Sequence, residues 1–281
     1  SDTLFLGVNG GRNVAFGGMD DDQITAESGS NLIIADNGTV FFINGEAVLA
    51  ESTQTEQGGS DLITLVDGTN EVIAGFGNDT VAGSGGDNLI LTDNGTISWS
   101  DSGVLQQAST TQPETGGSDH TSLTGGINTI LAGAGVDSIT TGTGNDAVIG
   151  DNGAVVFDAQ RQLTSLTTTD TGATDSGNDV INTGGGDDRV LAGLGSDTVN
   201  TGDGNDVVLA DLGTLTYLNN QFVEAVTSDE PLGGNDTPLL GDGNDWALGG
   251  GGSDSLYGQG GDDILYGDFA IIGFDASGSF F

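Results

Sequence analysis

Residues 174–209 read TDSGNDVIN TGGGDDRVL AGLGSDTVN TGDGNDVVL, four nonads without a gap. Each carries glycine at its fourth position, aspartate at its sixth (Asp179, Asp188, Asp197, Asp206) and an aliphatic residue at its eighth (Ile181, Val190, Val199, Val208). A period of nine this strict decides the architecture before any other feature is weighed.

The same register runs outward in both directions. One upstream block carries Asp61, Asn70, Asp79 and Asn88, and the next Asp119, Asn128, Asp137 and Asp146. A partial first block has Asn13, Asp22 and Asn31, and the last has Asp236, Asp245, Asp254 and Asp263. Thr121, Pro238, Ala15 and Ala247 depart from the aliphatic rule at position eight. A second period of about 58 residues is laid over the first, since Asp61 to Asp119 is 58, Asp119 to Asp179 is 60 and Asp179 to Asp236 is 57.

Blocks end in a tetrad holding a further aspartate: Asp36, Asp93, Asp151, Asp211 and, in a degenerate copy, Asp268. After the first tetrad, Thr39 to Ile43, then Asn44-Gly45, then Ala47 to Leu49 predicts a β-hairpin, because Asn-Gly suits a type I′ turn. The stretches 96–105, 154–163 and 214–223 are its counterparts. The division is therefore one repeat array over 1–281. Roll blocks fall at 8–38, 56–95, 114–153, 174–213 and 231–268, and hairpin insertions at 39–55, 96–113, 154–173 and 214–230. Residues 269–281 read as a truncated fifth hairpin.

Each nonad supplies a turn and then three residues of strand, the middle one pointing inward. Two nonads make one coil, so residues 18 apart stack, as Asp179 on Asp197. Burying one aliphatic side chain contributes about 1.5–3 kcal/mol. Ordering nine residues costs about 1–2 kcal/mol each, so this burial alone should not fold the repeat. The charge adds to the difficulty: 3 Lys and Arg against 42 Asp and Glu leave −39. Ca²⁺ takes six to eight oxygens from carboxylates and backbone carbonyls, and would meet both demands. With no cysteine, metal is the remaining staple.

The copies Gly241-Asp242-Gly243-Asn244-Asp245, Gly249-Gly250-Gly251-Gly252-Ser253-Asp254 and Gly260-Gly261-Asp262-Asp263-Ile264-Leu265-Tyr266 resemble the hemolysin-type calcium-binding (RTX) repeat, G-G-x-G-x-D-x-U-x. That resemblance implies an all-β, right-handed parallel β-roll (a β-solenoid) interrupted by the hairpins, with multiple Ca²⁺ ions between coils along both edges. It also implies export by type I secretion to the outside or the surface of a Gram-negative bacterium. The expected ligands are Asp22, Asp61, Asp79, Asp119, Asp137, Asp179, Asp197, Asp236 and Asp254 on one edge, and Asp146, Asp188, Asp206, Asp245 and Asp263 on the other. Asn13, Asn31, Asn70, Asn88 and Asn128 occupy the rest of that second edge, as an asparagine ladder lacking the charge an ion needs. The tetrad residues Asp36, Asp93, Asp151, Asp211 and Asp268 read either as closing the ion site or as turn initiators, and the two roles are compatible.

Other classes are disfavoured. Carboxylates at this density repel nucleic-acid phosphates. No apolar run approaches the roughly 20 residues that span a bilayer, so no membrane insertion is expected. The N-terminus lacks the basic start of a signal peptide, and the chain reads as a segment of something longer. The lone histidine, His120, cannot build a multi-histidine site, and neither H-E-x-x-H nor G-x-S-x-G occurs, so no enzyme is expected. Trp99, Phe157, Tyr217 and Phe222 lie in the hairpins, where they cover a core or, if exposed, offer a surface for self-association or a cell-surface ligand. The leading function is a calcium-folded structural module of a large bacterial adhesin or biofilm protein. The alternatives are the repeat region of a secreted RTX toxin and a ligand-binding adhesive domain.

Overall fold

The structure, a computed structural model, describes residues 1–7, 11–170, 172, 177–219, 221–228 and 232–274. The start of the first predicted block (8–10), the junctions near 171–176 and 229–231, and the tail of the proposed fifth hairpin (275–281) lie outside the described residues. All the secondary structure described is β.

Three sheets form. The first roll sheet orders Thr3–Leu6, Gln23–Ala26, Leu62–Leu65, Thr80–Gly83, His120–Leu123, Ser138–Thr140, Val180–Asn182, Thr198–Asn200 and Thr237–Leu239, all parallel. The second orders Arg12–Phe16, Ser30–Ile34, Thr69–Ile73, Asp87–Leu91, Asn128–Leu131, Ala147–Ile149, Arg189–Leu191, Val207–Leu209, Trp246–Leu248 and Ile264–Tyr266, again parallel. Alternate nonads therefore feed opposite sheets, and the coils stack without a break across every insertion. Position-eight residues of both sheets meet between them: Ile24, Ile63, Val81, Ile139, Ile181 and Val199 from the first, Ile33, Val72, Ile90, Ile130, Val148, Val190 and Val208 from the second.

The roll opens earlier than residue 8. Thr3–Leu6 pairs in register with Gln23–Ala26, which puts Asp2 one coil above Asp22. The spacing there is 20 rather than 18, which hides Asp2 from a search by period.

Four β-hairpins pair Gly38–Ile43 with Glu46–Ser52, Gly95–Trp99 with Leu105–Thr110, Gly153–Phe157 with Leu163–Thr168, and Gly213–Leu218 with Gln221–Thr227. Asn44 and Gly45 both take positive φ, 51° and 91°, as a type I′ turn requires. The hairpins do not stand apart. Each pairs antiparallel with the next, and Ile271–Gly273 completes a third sheet of nine strands. Where the strand ladder ends, a hydroxyl continues it. The amides of Gly95, Gly153, Gly213 and Ala270 donate to Ser52 Oγ, Thr110 Oγ1, Thr168 Oγ1 and Thr227 Oγ1 at 2.8–3.0 Å.

This hairpin sheet lies on the outer face of the second roll sheet. Leu32, Ile34, Leu89, Leu91, Leu131, Ile149, Leu191 and Leu209, at positions seven and nine, pack against Ile97, Trp99, Leu105, Val155, Leu166, Leu215 and Tyr217. The molecule thus has three layers and two cores. The second sheet therefore buries up to three apolar residues per nonad rather than one, while the first sheet keeps its outer face in water, with Leu62 and Val180 exposed.

Candidate metal centre

The two roll edges are rows of stacked turns. On the first edge each backbone amide at position six donates to the carboxylate one coil further on. Asp22 N–H reaches Asp61 Oδ1 at 2.7 Å, Asp61 reaches Asp79, Asp79 reaches Asp119, and Asp119 reaches Asp137, each at 2.7 Å. Asp137, Asp179, Asp197 and Asp236 continue the chain to Asp179, Asp197, Asp236 and Asp254 at 2.8–3.0 Å. Asp2 opens the series by donating to Asp22.

Only Oδ1 is used in this way. The Oδ2 atoms of Asp22, Asp61, Asp79, Asp119, Asp137, Asp179, Asp197, Asp236 and Asp254 are buried and have no hydrogen-bond partner. A buried carboxylate oxygen with nothing to neutralise it is costly, and the protonation equilibria show it. Burial, with like charge on Asp119, pushes Asp79 up to about 9. Burial, with like charge on Asp179 and Asp119, takes Asp137 to about 9. Asp197 and Asp236 rise to about 8 for the same reasons.

The second edge changes character along its length. From Asn128 onward it copies the first: Asn128 N–H donates to Asp146, Asp146 to Asp188, Asp188 to Asp206, Asp206 to Asp245 and Asp245 to Asp263, at 2.7–3.1 Å. The Oδ2 atoms of Asp146, Asp188, Asp206 and Asp245 are again buried and unpartnered. Upstream the side chains pair with each other instead. Asn13 Nδ2 donates to Asn31 Oδ1, Asn31 to Asn70 and Asn70 to Asn88 at 2.7 Å, and Asn88 to Asn128 at 2.8 Å. None of these asparagines has an orphaned side-chain atom.

The backbone differs with the side chain. The turns of Asp146, Asp188 and Asp206 on this edge have glycine at positions two and four, both at positive φ: Gly142 and Gly144, Gly184 and Gly186, Gly202 and Gly204. Asparagine turns place Glu27, Val66, Ser84 and Thr124 at position two, and only the position-four glycine has positive φ. Beside the aspartate turns, the hydroxyls of Thr141, Thr183 and Thr201 donate to the carbonyls of Thr183, Thr201 and Leu240 one coil on, at 2.9–3.4 Å, and their nearness lowers the pKa of Asp146, Asp188 and Asp206 against the upward pull of burial.

The tetrad aspartates sit beside the first edge and organise its turns. Asp36 accepts Phe76 N–H at 2.6 Å and Gly59 N–H at 3.2 Å, and Asp93 accepts Ala134 and Gly117 at the same distances. Asp211 accepts Gly251 at 2.5 Å and Gly234 at 3.1 Å. Asp151 accepts Leu194 N–H, and its Oδ1 is buried with no partner. Gly133 illustrates the fit: at φ +99° it lies so close that a Cβ would come within 2.4 Å of Asp93 Oδ2. Burial, with like charge on Asp179, takes Asp151 to about 10. Asp36 rises to about 7 and Asp211 to about 6, through burial first. Asp268 is exposed near Asp254, and Asp263 is half-buried.

Among the described residues no three acidic or histidine side chains converge on one point. The donor set is instead pairs of stacked carboxylates beside glycine-rich backbone. Hard oxygen donors and rows of orphaned anionic oxygens fit a calcium ion, which supplies positive charge and accepts carboxylate and carbonyl oxygens together. A second, exposed ladder at position five was missed in the sequence. Asn78, Asn145, Asn178, Asp187 and Asn205 accept the position-five amides of neighbouring coils. Its signal was present, as the recurrence of Asn, Asp or Ser at that position.

A family model described as "RTX calcium-binding nonapeptide repeat (4 copies)" matches residues 8–39, 58–96, 123–156, 173–208 and 240–269, more than half of the chain. No curated protein and no solved structure matches it.

Proposed function

The chain belongs to the family of RTX calcium-binding nonapeptide repeats, and from that premise we propose a calcium-folded structural module of a secreted or cell-surface bacterial protein, an adhesin or biofilm-associated protein. Repeats of this family bind several calcium ions per region, and proteins that carry them are generally secreted. The observation that carries the reading is the pair of edges on which buried, unpartnered carboxylate oxygens recur coil after coil in a chain of net charge −39. Such a chain resists compaction until cations neutralise it. At about 4.8 Å per coil the stacked coils make a rod of about 45 Å, a shape suited to a spacer. No catalytic role is proposed.

The ligands proposed are the position-six aspartates of both edges, with the tetrad aspartates closing the sites where the chain leaves for a hairpin. The asparagine half of the second edge takes no ion. Circular dichroism across a calcium titration, with sedimentation velocity, tests the function. The reading expects folding and compaction between about 10⁻⁴ and 10⁻³ M calcium, the range of extracellular modules. Complete folding at submicromolar calcium would contradict a module whose aspartate coils stay unfolded before export. Asp151→Ala should weaken calcium binding, and an unchanged isotherm would leave the tetrad aspartates as turn acceptors alone.

A further inference from the structure

The asparagine stretch does more than lack charge. Its side-chain amides stand where the other turns leave orphaned oxygens. Asn128 Nδ2 lies 3.0 Å from Asp146 Oδ1, 3.4 Å from the Gly126 carbonyl and 3.5 Å from that of Gly125. Asn88 Nδ2 sits 3.5 Å from the Gly86 carbonyl and 2.8 Å from Asn128 Oδ1. A neutral donor, covalently part of the chain, satisfies the oxygens that a cation serves elsewhere.

Independent features point the same way. The second-sheet strands of this half are longer, with five residues in Ser30–Ile34, Thr69–Ile73 and Asp87–Leu91 against three in Ala147–Ile149, Arg189–Leu191 and Val207–Leu209. The hairpin tips over this half are fastened to the roll by contacts that need no metal. Arg12 pairs with Glu46 at 2.7 Å, Trp99 Nε1 donates to Glu71 Oε1 at 3.1 Å, and Arg161 reaches the same Glu71 oxygen at 3.4 Å. Glu71 lies buried between the second roll sheet and the hairpin sheet.

We infer that the second roll sheet from Ser30 to Leu131, with the hairpin sheet docked on it, is a calcium-independent folding platform on which the calcium-dependent remainder assembles. This rests on the calcium reading above for the remainder only. With calcium withdrawn, the asparagine ladder and the apolar layer beneath the hairpins hold this two-sheet unit together. The first roll sheet and the second-sheet strands after Asp146 lose the charges that closed their turns. On return of calcium, Asn128 presents Asp146 with a formed edge, so ordering proceeds from the junction toward the C-terminus.

Hydrogen exchange of the full chain, read by mass spectrometry in calcium and in EDTA, tests this, with calorimetric calcium binding measured on the same sample. The expected result in EDTA is retained protection in Ser30–Ile34, Thr69–Ile73, Asp87–Leu91 and Gly95–Thr110. Protection should fall by about a hundredfold or more in Leu62–Leu65, Thr80–Gly83, Arg189–Leu191 and Val207–Leu209. Calcium binding with uniform loss in EDTA overturns the inference alone, whereas uniform retention in EDTA, or no calcium binding at all, overturns it together with the proposed function. Asn70→Asp with Asn88→Asp should make the platform's protection calcium-dependent; unchanged protection in EDTA would contradict the ladder's role.

Discussion

Two stretches of one edge, built from the same nonad, solve the same problem in different ways. From Asn31 to Asn128 the turn carries one positive-φ glycine and, from Asn13 on, an amide side chain that both donates and accepts, so each coil satisfies the next. From Asp146 to Asp245 two glycines open the turn, the side chain can only accept, and one oxygen per coil is left buried without a partner. The exchange of one NH₂ for one O⁻ turns a self-sufficient ladder into one that needs a counterion. Charge complementarity, rather than apolar burial, therefore separates the two halves, because the hairpin sheet covers both.

The comparison breaks most visibly on calcium removal. Chelation should abolish most of the β circular dichroism contributed by the aspartate coils, since metal binding is part of their folding energy; a spectrum indifferent to EDTA would remove the distinction. Next in size is a conversion. Asp146→Asn, Asp188→Asn and Asp206→Asn together should extend the ladder, lower the number of calcium ions bound and leave more of the spectrum in EDTA. Titration calorimetry and circular dichroism read both effects, and unchanged stoichiometry would count against ligation by these residues.

Protons should substitute in part for calcium. Asp79 and Asp137 are raised to about 9, Asp197 and Asp236 to about 8, and Asp188 to about 7, by burial and then by neighbouring carboxylates. A group whose folded pKa lies above its unfolded value of 3.8 favours the folded state when protonated. That contribution is full below about pH 4 and is lost as pH rises through about 7 to 9. In EDTA the chain should therefore gain order on acidification from pH 9, seen as rising β signal at the aspartate coils; loss of order over that interval would contradict the sign. The asparagine turns of the second edge should respond least.

The smallest effects probe the ion-free fastening. Glu71→Ala leaves Trp99 Nε1 without its acceptor and should cost about 1–3 kcal/mol in a thermal melt. Thr168→Ala removes one hydroxyl clasp and should cost about 1 kcal/mol, with faster exchange at the Gly213 amide. Equal melting temperatures for all three proteins would show that these contacts contribute nothing.

The period of nine, the two-edge parity and the Asn-Gly hairpin could be read from the residues alone, because each is a local spacing with a local cause. Asp2 could not, since two extra residues in the first coil break the count. The thicker interior was legible and was missed: Leu32-Ile33-Ile34 and Leu89-Ile90-Leu91 are unbroken apolar runs, the mark of a strand covered on both faces, whereas Gln23-Ile24-Thr25 alternates. The fusion of the hairpins is backbone pairing between one hairpin and the next, continued by Ser52, Thr110, Thr168 and Thr227, each clasping a backbone 43–45 residues away. Nothing local distinguishes those hydroxyls from any others at a strand end.

The most direct test is an anomalous difference map from crystals of the calcium-loaded protein. Peaks should follow the first edge along its length and the second edge only beyond Asn128, beside Asp146, Asp188, Asp206 and Asp245. Peaks of equal height beside Asn70 and Asn88, or bare turns along the aspartate rows, would contradict the account.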